Sequence, residues 1–153
     1  MNYLDKLLNE RTATVFVDET IDSGDVKSLY IENPLEDGVC IFEIVQMDVN
    51  DGAVGGYYRN PDVSGGTSIP ATVDMIGSDT ELPFTVLEDG DITGERISIP
   101  LSKSGGQANP VTSTRPPFAL GPNSAVGFEI EATDNNTDVL LMANFWKTTT
   151  YKR

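Results

Sequence analysis

Val126-Gly127-Phe128-Glu129-Ile130-Glu131-Ala132 alternates apolar and acidic positions, so Val126, Phe128, Ile130 and Ala132 share one face of an extended chain while Glu129 and Glu131 take the other. That period of two predicts a strand with one face in a core. Val139 to Thr149 follows it, with Val139, Leu141, Ala143 and Phe145 on one side and Leu140, Met142 and Trp146 on the other, a pattern that predicts cover on both faces. Val39 to Val49 has the same character. There Cys40, Phe42 and Ile44 fall on one face and Val39, Ile41, Val45 and Met47 on the other, with Glu43 interrupting.

Further strands are predicted at Thr12 to Glu19, Val26 to Glu32, Val54 to Arg59, Ser68 to Ile76, Phe84 to Glu88 and Arg96 to Leu101, separated by turn formers such as Gly65-Gly66, Asp89-Gly90 and Gly105-Gly106. Lys103 to Pro122 has the least strand character and reads as a long contact loop. One helix is expected, over Asn2 to Glu10, because Leu4, Leu7 and Leu8 fall at i, i+3 and i+4. A helix so short needs a docking surface, on its own domain or on a neighbouring subunit. The fold expected is therefore all-β: a jelly-roll-like antiparallel β-sandwich spanning 21–153, preceded by an N-terminal helix and arm over 1–20.

The 153 residues carry 10 Lys+Arg against 24 Asp+Glu, a formal charge of −14, and no histidine. So acidic a chain repels phosphate backbones and anionic lipids, so neither nucleic acid nor membrane is expected as a partner. Lacking histidine, it has no Ser-His or Cys-His pair, and no enzyme is expected. The lone cysteine, Cys40, lies in an apolar run and reads as a small buried hydrophobe. The first eleven residues hold no signal-like apolar stretch, which leads to the expectation of a chain soluble as synthesised.

Three stretches carry a resemblance. They are Leu29-Tyr30-Ile31-Glu32-Asn33-Pro34 leading through Asp37-Gly38, then Tyr57-Tyr58-Arg59-Asn60-Pro61-Asp62-Val63-Ser64-Gly65-Gly66-Thr67, and Leu120-Gly121-Pro122-Asn123-Ser124-Ala125-Val126. Together the chain resembles small β-sandwich structural proteins of tailed viruses, of the capsid decoration, turret or head-fibre type. The resemblance covers residues 27–147 and implies a noncatalytic virion component that forms a homo-oligomer and attaches to other virion proteins, such as the major capsid or the portal and neck protein. High salt favours surfaces rich in Asp and Glu, and at molar salt the Debye length falls to about 3 Å, so self-repulsion is screened. The acidity thus points to a virus of a halophilic archaeon, with an acidic protein from a low-salt source as the alternative.

The assembly surface expected from the sequence comprises Leu4, Leu7 and Leu8 of the helix and Val15 and Val17 of the arm. No cofactor is expected beyond a structural Ca²⁺ or Mg²⁺, for which Glu88, Asp89 and Asp91 are the candidate ligands; Asp48, Asn50 and Asp51 form a second, incomplete oxygen-rich loop. Tyr3, Tyr57, Tyr58, Trp146 and Tyr151 offer the competing reading, a carbohydrate- or receptor-binding module of an adhesin that takes a host surface glycan. Lys147, Lys152 and Arg153 form a basic cluster suited to an acidic neighbour.

Overall fold

The computed structural model describes residues 2–8, 11–106 and 110–148. Tyr151, Lys152 and Arg153 lie outside the described residues, as do the side chains of Tyr3 and Leu8. A short helix, α1 (Tyr3–Leu8), leads into β1 (Thr12–Ile21), β2 (Val26–Asn33), β3 (Val39–Val49) and β4 (Ala53–Arg59). Four short strands follow: β5 (Asp62–Ser64), β6 (Thr67–Ser68), β7 (Thr85–Glu88) and β8 (Asp91–Thr93). The chain closes with β9 (Arg96–Lys103), β10 (Val111–Arg115), β11 (Phe118–Leu120), β12 (Ser124–Ala132) and β13 (Thr137–Thr148).

Two antiparallel sheets stack around one core. The first runs β1-β13-β3-β10, with β11 also on β3; the second runs β6-β7-β2-β12-β4-β9; β5 and β8 form a separate pair. Of the long strands, first pairs with last (β1 with β13), second with seventh (β2 with β12), third with sixth (β3 with β10) and fourth with fifth (β4 with β9). That nesting is a long antiparallel hairpin rolled into two sheets, the jelly roll expected from the strand pattern.

The alternating stretch behaves as its period dictates: Val126, Phe128, Ile130 and Ala132 are buried and Glu131 is exposed. Phe128 meets the opposite sheet edge-on at Phe42, 6.1 Å between ring centroids, while Phe42 stacks flat on Phe118 at 4.5 Å. Burying each such ring contributes about 1.5–3 kcal/mol. Cys40 is fully buried, and burial pushes its thiol well above the ordinary value, so it packs as a hydrophobe.

Strand β3 departs from the two faces expected of it. Phe145 pairs with Phe42 and Asn144 with Ile44, which leaves Glu43 as an extra residue, a β-bulge. The bulge reverses the side-chain parity along β3. Cys40 and Phe42 on one side of it, and Val45, Met47 and Val49 on the other, therefore all point into the core, and Ile44 turns out to solvent. Pairing of β1 with β13 over its whole length also makes Thr12–Ile21 the first strand of the sandwich, so residues 12–20 belong to the domain and not to an arm.

Two further expectations are corrected. Pro70 cannot donate to a ladder, and of the strand expected over Ser68 to Ile76 only β6 and isolated bridges at Thr72 and Val73 form. Conversely, the expected loop from Lys103 to Pro122 contributes β10 and β11, both laid along β3 with Pro116-Pro117 between them. The β-branched alternation of Val111-Thr112-Ser113-Thr114-Arg115 is the signal for the first.

The bulge makes a sharp test possible. Deleting Glu43 removes the extra residue and leaves Phe42, Ile44 and Val45 in unbroken alternation against the same β13 partners, so the variant is expected to keep its cooperative urea transition and to lose only the Glu43–Lys6 pair that docks the helix; loss of the transition would contradict the bulge. Glu43→Gln keeps the residue count and is expected to retain the transition, with a loss of about 1 kcal/mol from the lost ion pair.

Candidate functional site

Three places carry chemistry: the outer face of the β1-β13-β3-β10 sheet, the end of the sandwich where the quoted motifs meet, and an acidic hollow beside β8.

On the outer face, cross-strand rows run Phe16–Met142–Gln46–Thr114, Thr14–Asn144–Ile44 and Asp18–Leu140–Asp48–Thr112. Phe16 is 61% exposed and Ile44 41%, an uncommon state for such side chains in mid-strand. Helix α1 lies over one end. Asn2 caps it by accepting the Asp5 amide at 2.9 Å, and buried Lys6 pairs with the Glu43 carboxylate and sits 4.2 Å from the Trp146 ring centre. The helix thus docks on its own domain, through a lysine and with Leu7 half-buried, while Leu4 stays 59% exposed. At the edge of the face, the Asn144 amide donates to Asp74, bringing exposed Met75 and Ile76 alongside. Val15 and Val17, expected on an assembly surface, are buried in the core instead. Their neighbour of opposite parity, Phe16, is the surface residue. The period-two pattern of Thr12 to Glu19 gave both choices, and only the sandwich partner decides between them.

At the motif end, Asn33 is fully buried and joins two of the quoted stretches. Its Nδ2 donates to the carbonyls of Gly38 at 2.9 Å, Leu120 at 3.2 Å and Gly121 at 3.0 Å, and its Oδ1 accepts the Leu35 amide at 3.1 Å. Asn60, held at φ +43°, joins the third: its Oδ1 accepts the Ala125 amide at 3.0 Å and its own amide donates to the Ala125 carbonyl at 2.9 Å. The motifs are therefore hydrogen-bond staples between sequence-distant turns. Between them lies a pocket of about 330 Å³ whose lining includes Tyr57, Arg59, Ile97, Arg115, Phe118 and Leu120. Arg115 stands 4.9 Å from the Tyr57 ring centre and 5.0 Å from that of Phe118. Burial pushes the Tyr57 phenol up, and Arg115 pulls it the other way. Tyr58 faces outward, bonded to Glu129 and covered by Arg96.

The acidic hollow, about 510 Å³, is lined by Asp89, Asp91 and Glu129 among others. Asp89 pairs with Lys27 at 3.0 Å, and Lys27 also pairs with Glu19. Glu88 does not line the hollow, so the three candidate ligands are not brought together, and among the described residues no three acidic or Cys side chains are grouped to hold a metal. Asp51 likewise serves the backbone: its Oδ1 accepts the amides of Gly52 at 2.8 Å and Gly106 at 3.3 Å, which hold its carboxyl below the usual range.

No protein-family model and no curated protein matches the sequence. Among solved structures the chain is similar to one of infectious bursal virus derived T=1 particles, at 16% identity and a TM-score of 0.18, with 89% of this chain and 39% of that chain covered. The chain spans well under half of that subunit, and a likeness so slight carries no argument.

Two expectations follow. Asn33→Ala leaves three carbonyls without their donor and is expected to cost about 3 kcal/mol in urea unfolding at pH 7. Asn33→Asp, the same shape but an acceptor facing acceptors, is expected to cost more and to recover as its carboxyl protonates in acid. For Asp51 the folded pKa is depressed, so its contribution is present above the unfolded value of about 3.9 and fades as pH falls through the folded value. Unfolding curves at pH 5 and pH 3 are expected to differ less for Asp51→Asn than for the parent chain.

Proposed function

We propose that this chain is a noncatalytic structural protein of a virus particle that works by self-assembly. The carrying observation is the outer face of the β1-β13-β3-β10 sheet, where Phe16 and Ile44 stand exposed beside half-buried Leu140 and Met142. The opposite sheet differs. Its outer face is partly roofed by the β5–β8 pair, so closely that a Cβ at Gly127 would lie 3.0 Å from Ile92 and 3.2 Å from Pro61 and those side chains would have to give. Apart from helix α1 at one end, the β1-β13-β3-β10 face has no roof among the described residues and sets Phe16, Leu140, Met142 and Ile44 among polar neighbours, which fits a surface occupied by a second copy of the chain.

The resemblance of the three motif stretches supports the finer reading, a decoration, turret or head-fibre protein of a tailed virus with the N-terminal helix beside the assembly surface. Charge supports a high-salt setting. Asp18 and Asp48 share one row of the outer face and Asp138 lies next to it, so copies that meet through this face repel one another until salt screens them.

Light scattering tests the reading. The parent chain is expected to form an oligomer at molar salt and to dissociate at 0.1 M, where the Debye length is about 10 Å. Phe16→Asp is expected to remain monomeric at both, with an unchanged circular dichroism spectrum. A parent chain that is monomeric at molar salt, or a Phe16→Asp oligomer equal to the parent's, contradicts it.

A further inference from the structure

The pocket at the motif end has features that packing alone does not explain. Arg115 sits on β10 in the row Val15–Ala143–Val45–Arg115, whose other members are core residues, so the side chain occupies an inward-facing position. Arg59 pairs with Val126 on β12 and so shares the inward face of the opposite sheet. The two arginines come from different sheets and line the same pocket. In a chain with 24 acids and 10 basic residues, neither has an ion-pair partner among the described residues, whereas Lys6, Lys27 and Arg96 all do. The hydroxyl of Tyr57, which is 1% exposed, also has no hydrogen-bond partner among the described residues.

An inward charge on an edge strand guards against edge-to-edge pairing. That accounts for Arg115 but not for a second arginine from the other sheet or for the orphaned hydroxyl of a tyrosine that lines the same pocket. Buried polar groups are nearly always satisfied, so an exception marks a place where a partner is missing.

We infer that the pocket between β4 and β10–β11 binds a carboxylate-bearing ligand, the carboxylate received by Arg115 and Arg59 and the body of the ligand resting on Tyr57, Phe118 and Leu120. A planar guanidinium stacked on aromatic faces keeps its edge donors free, and those donors match the two oxygens of a carboxylate. The apolar lining selects an organic acid over a bare inorganic anion, and about 330 Å³ is at the small end of ligand-pocket sizes, suited to a single sugar acid or one acidic side chain. The net charge of −14 opposes the approach of any acid, so the two arginines must outweigh it locally, and added salt, which screens the distant charges first, works in the ligand's favour.

The carboxylate has two sources, a free acidic saccharide or an Asp or Glu of a neighbouring copy, and the test separates them. Calorimetric titration of the full chain with sodium glucuronate, with glucose as the neutral control, is run on the parent, Arg115→Gln and Arg59→Gln, with light scattering of the same samples. Glucuronate binding without glucose binding, weakened about tenfold or more in each variant, supports the inference with a free ligand. Absent glucuronate binding together with dissociation of the oligomer in both variants supports it with a neighbour's carboxylate. Equal binding of glucose, binding retained in both variants, or no binding with an unchanged oligomer overturns it. Arg59 is exposed at its strand end, so Arg59→Gln keeps the test open should Arg115→Gln fail to fold.

Discussion

The extra residue in β3 is the constraint on which the sandwich rests. Strand β3 lies between β13 and β10, with β11 on the same side as β10, so its side chains meet every part of the inner core. Were Glu43 paired as a regular strand residue, half of the apolar residues of β3 would face away from the opposite sheet. With the bulge, Phe42 reaches Phe118, Phe128 and Phe145 while Val45, Met47 and Val49 fill the rest. The same step turns Ile44 outward, one row from Phe16 and Met142, and presents Glu43 to Lys6 of the helix. Core packing, helix docking and the apolar outer face thus share one cause.

The second organising device is the pair of buried or strained asparagines. Asn33 and Asn60 tie three turns, far apart in sequence, into one end of the molecule, and they do it through side-chain amides that satisfy backbone groups no strand reaches. This end holds the arginine-lined pocket, whereas the proposed assembly face looks away from the core on the outside of one sheet.

Much of this was legible from residues. The alternation at Val126 to Ala132 marked a core strand, the turn signals marked the segment boundaries, and the motif spacing marked the three turns that the asparagines join. Parity was not legible where a bulge intervened or where one strand alone offered two faces: Glu43 read as an interruption, and Val15 and Val17 read as surface when Phe16 was. Period two says which residues share a face and leaves open which face is covered. Nor could spacing place Arg59 with Arg115, since their proximity arises from two strands in different sheets. The candidate metal ligands failed for a related reason. Carboxylates adjacent in sequence, Glu88 and Asp89, diverge on a tight turn whose Asp89 has φ +56°.

On this proposal, copies of the chain meet at the outer face of the β1-β13-β3-β10 sheet. Hydroxyl-radical footprinting at molar and at low salt reads this residue by residue. At molar salt Phe16 and Met142 are predicted to become protected, while Ile97 and Ile99 on the edge strand β9 of the other sheet keep their reactivity. Unchanged reactivity of Phe16 in a sample that scatters as an oligomer would contradict it.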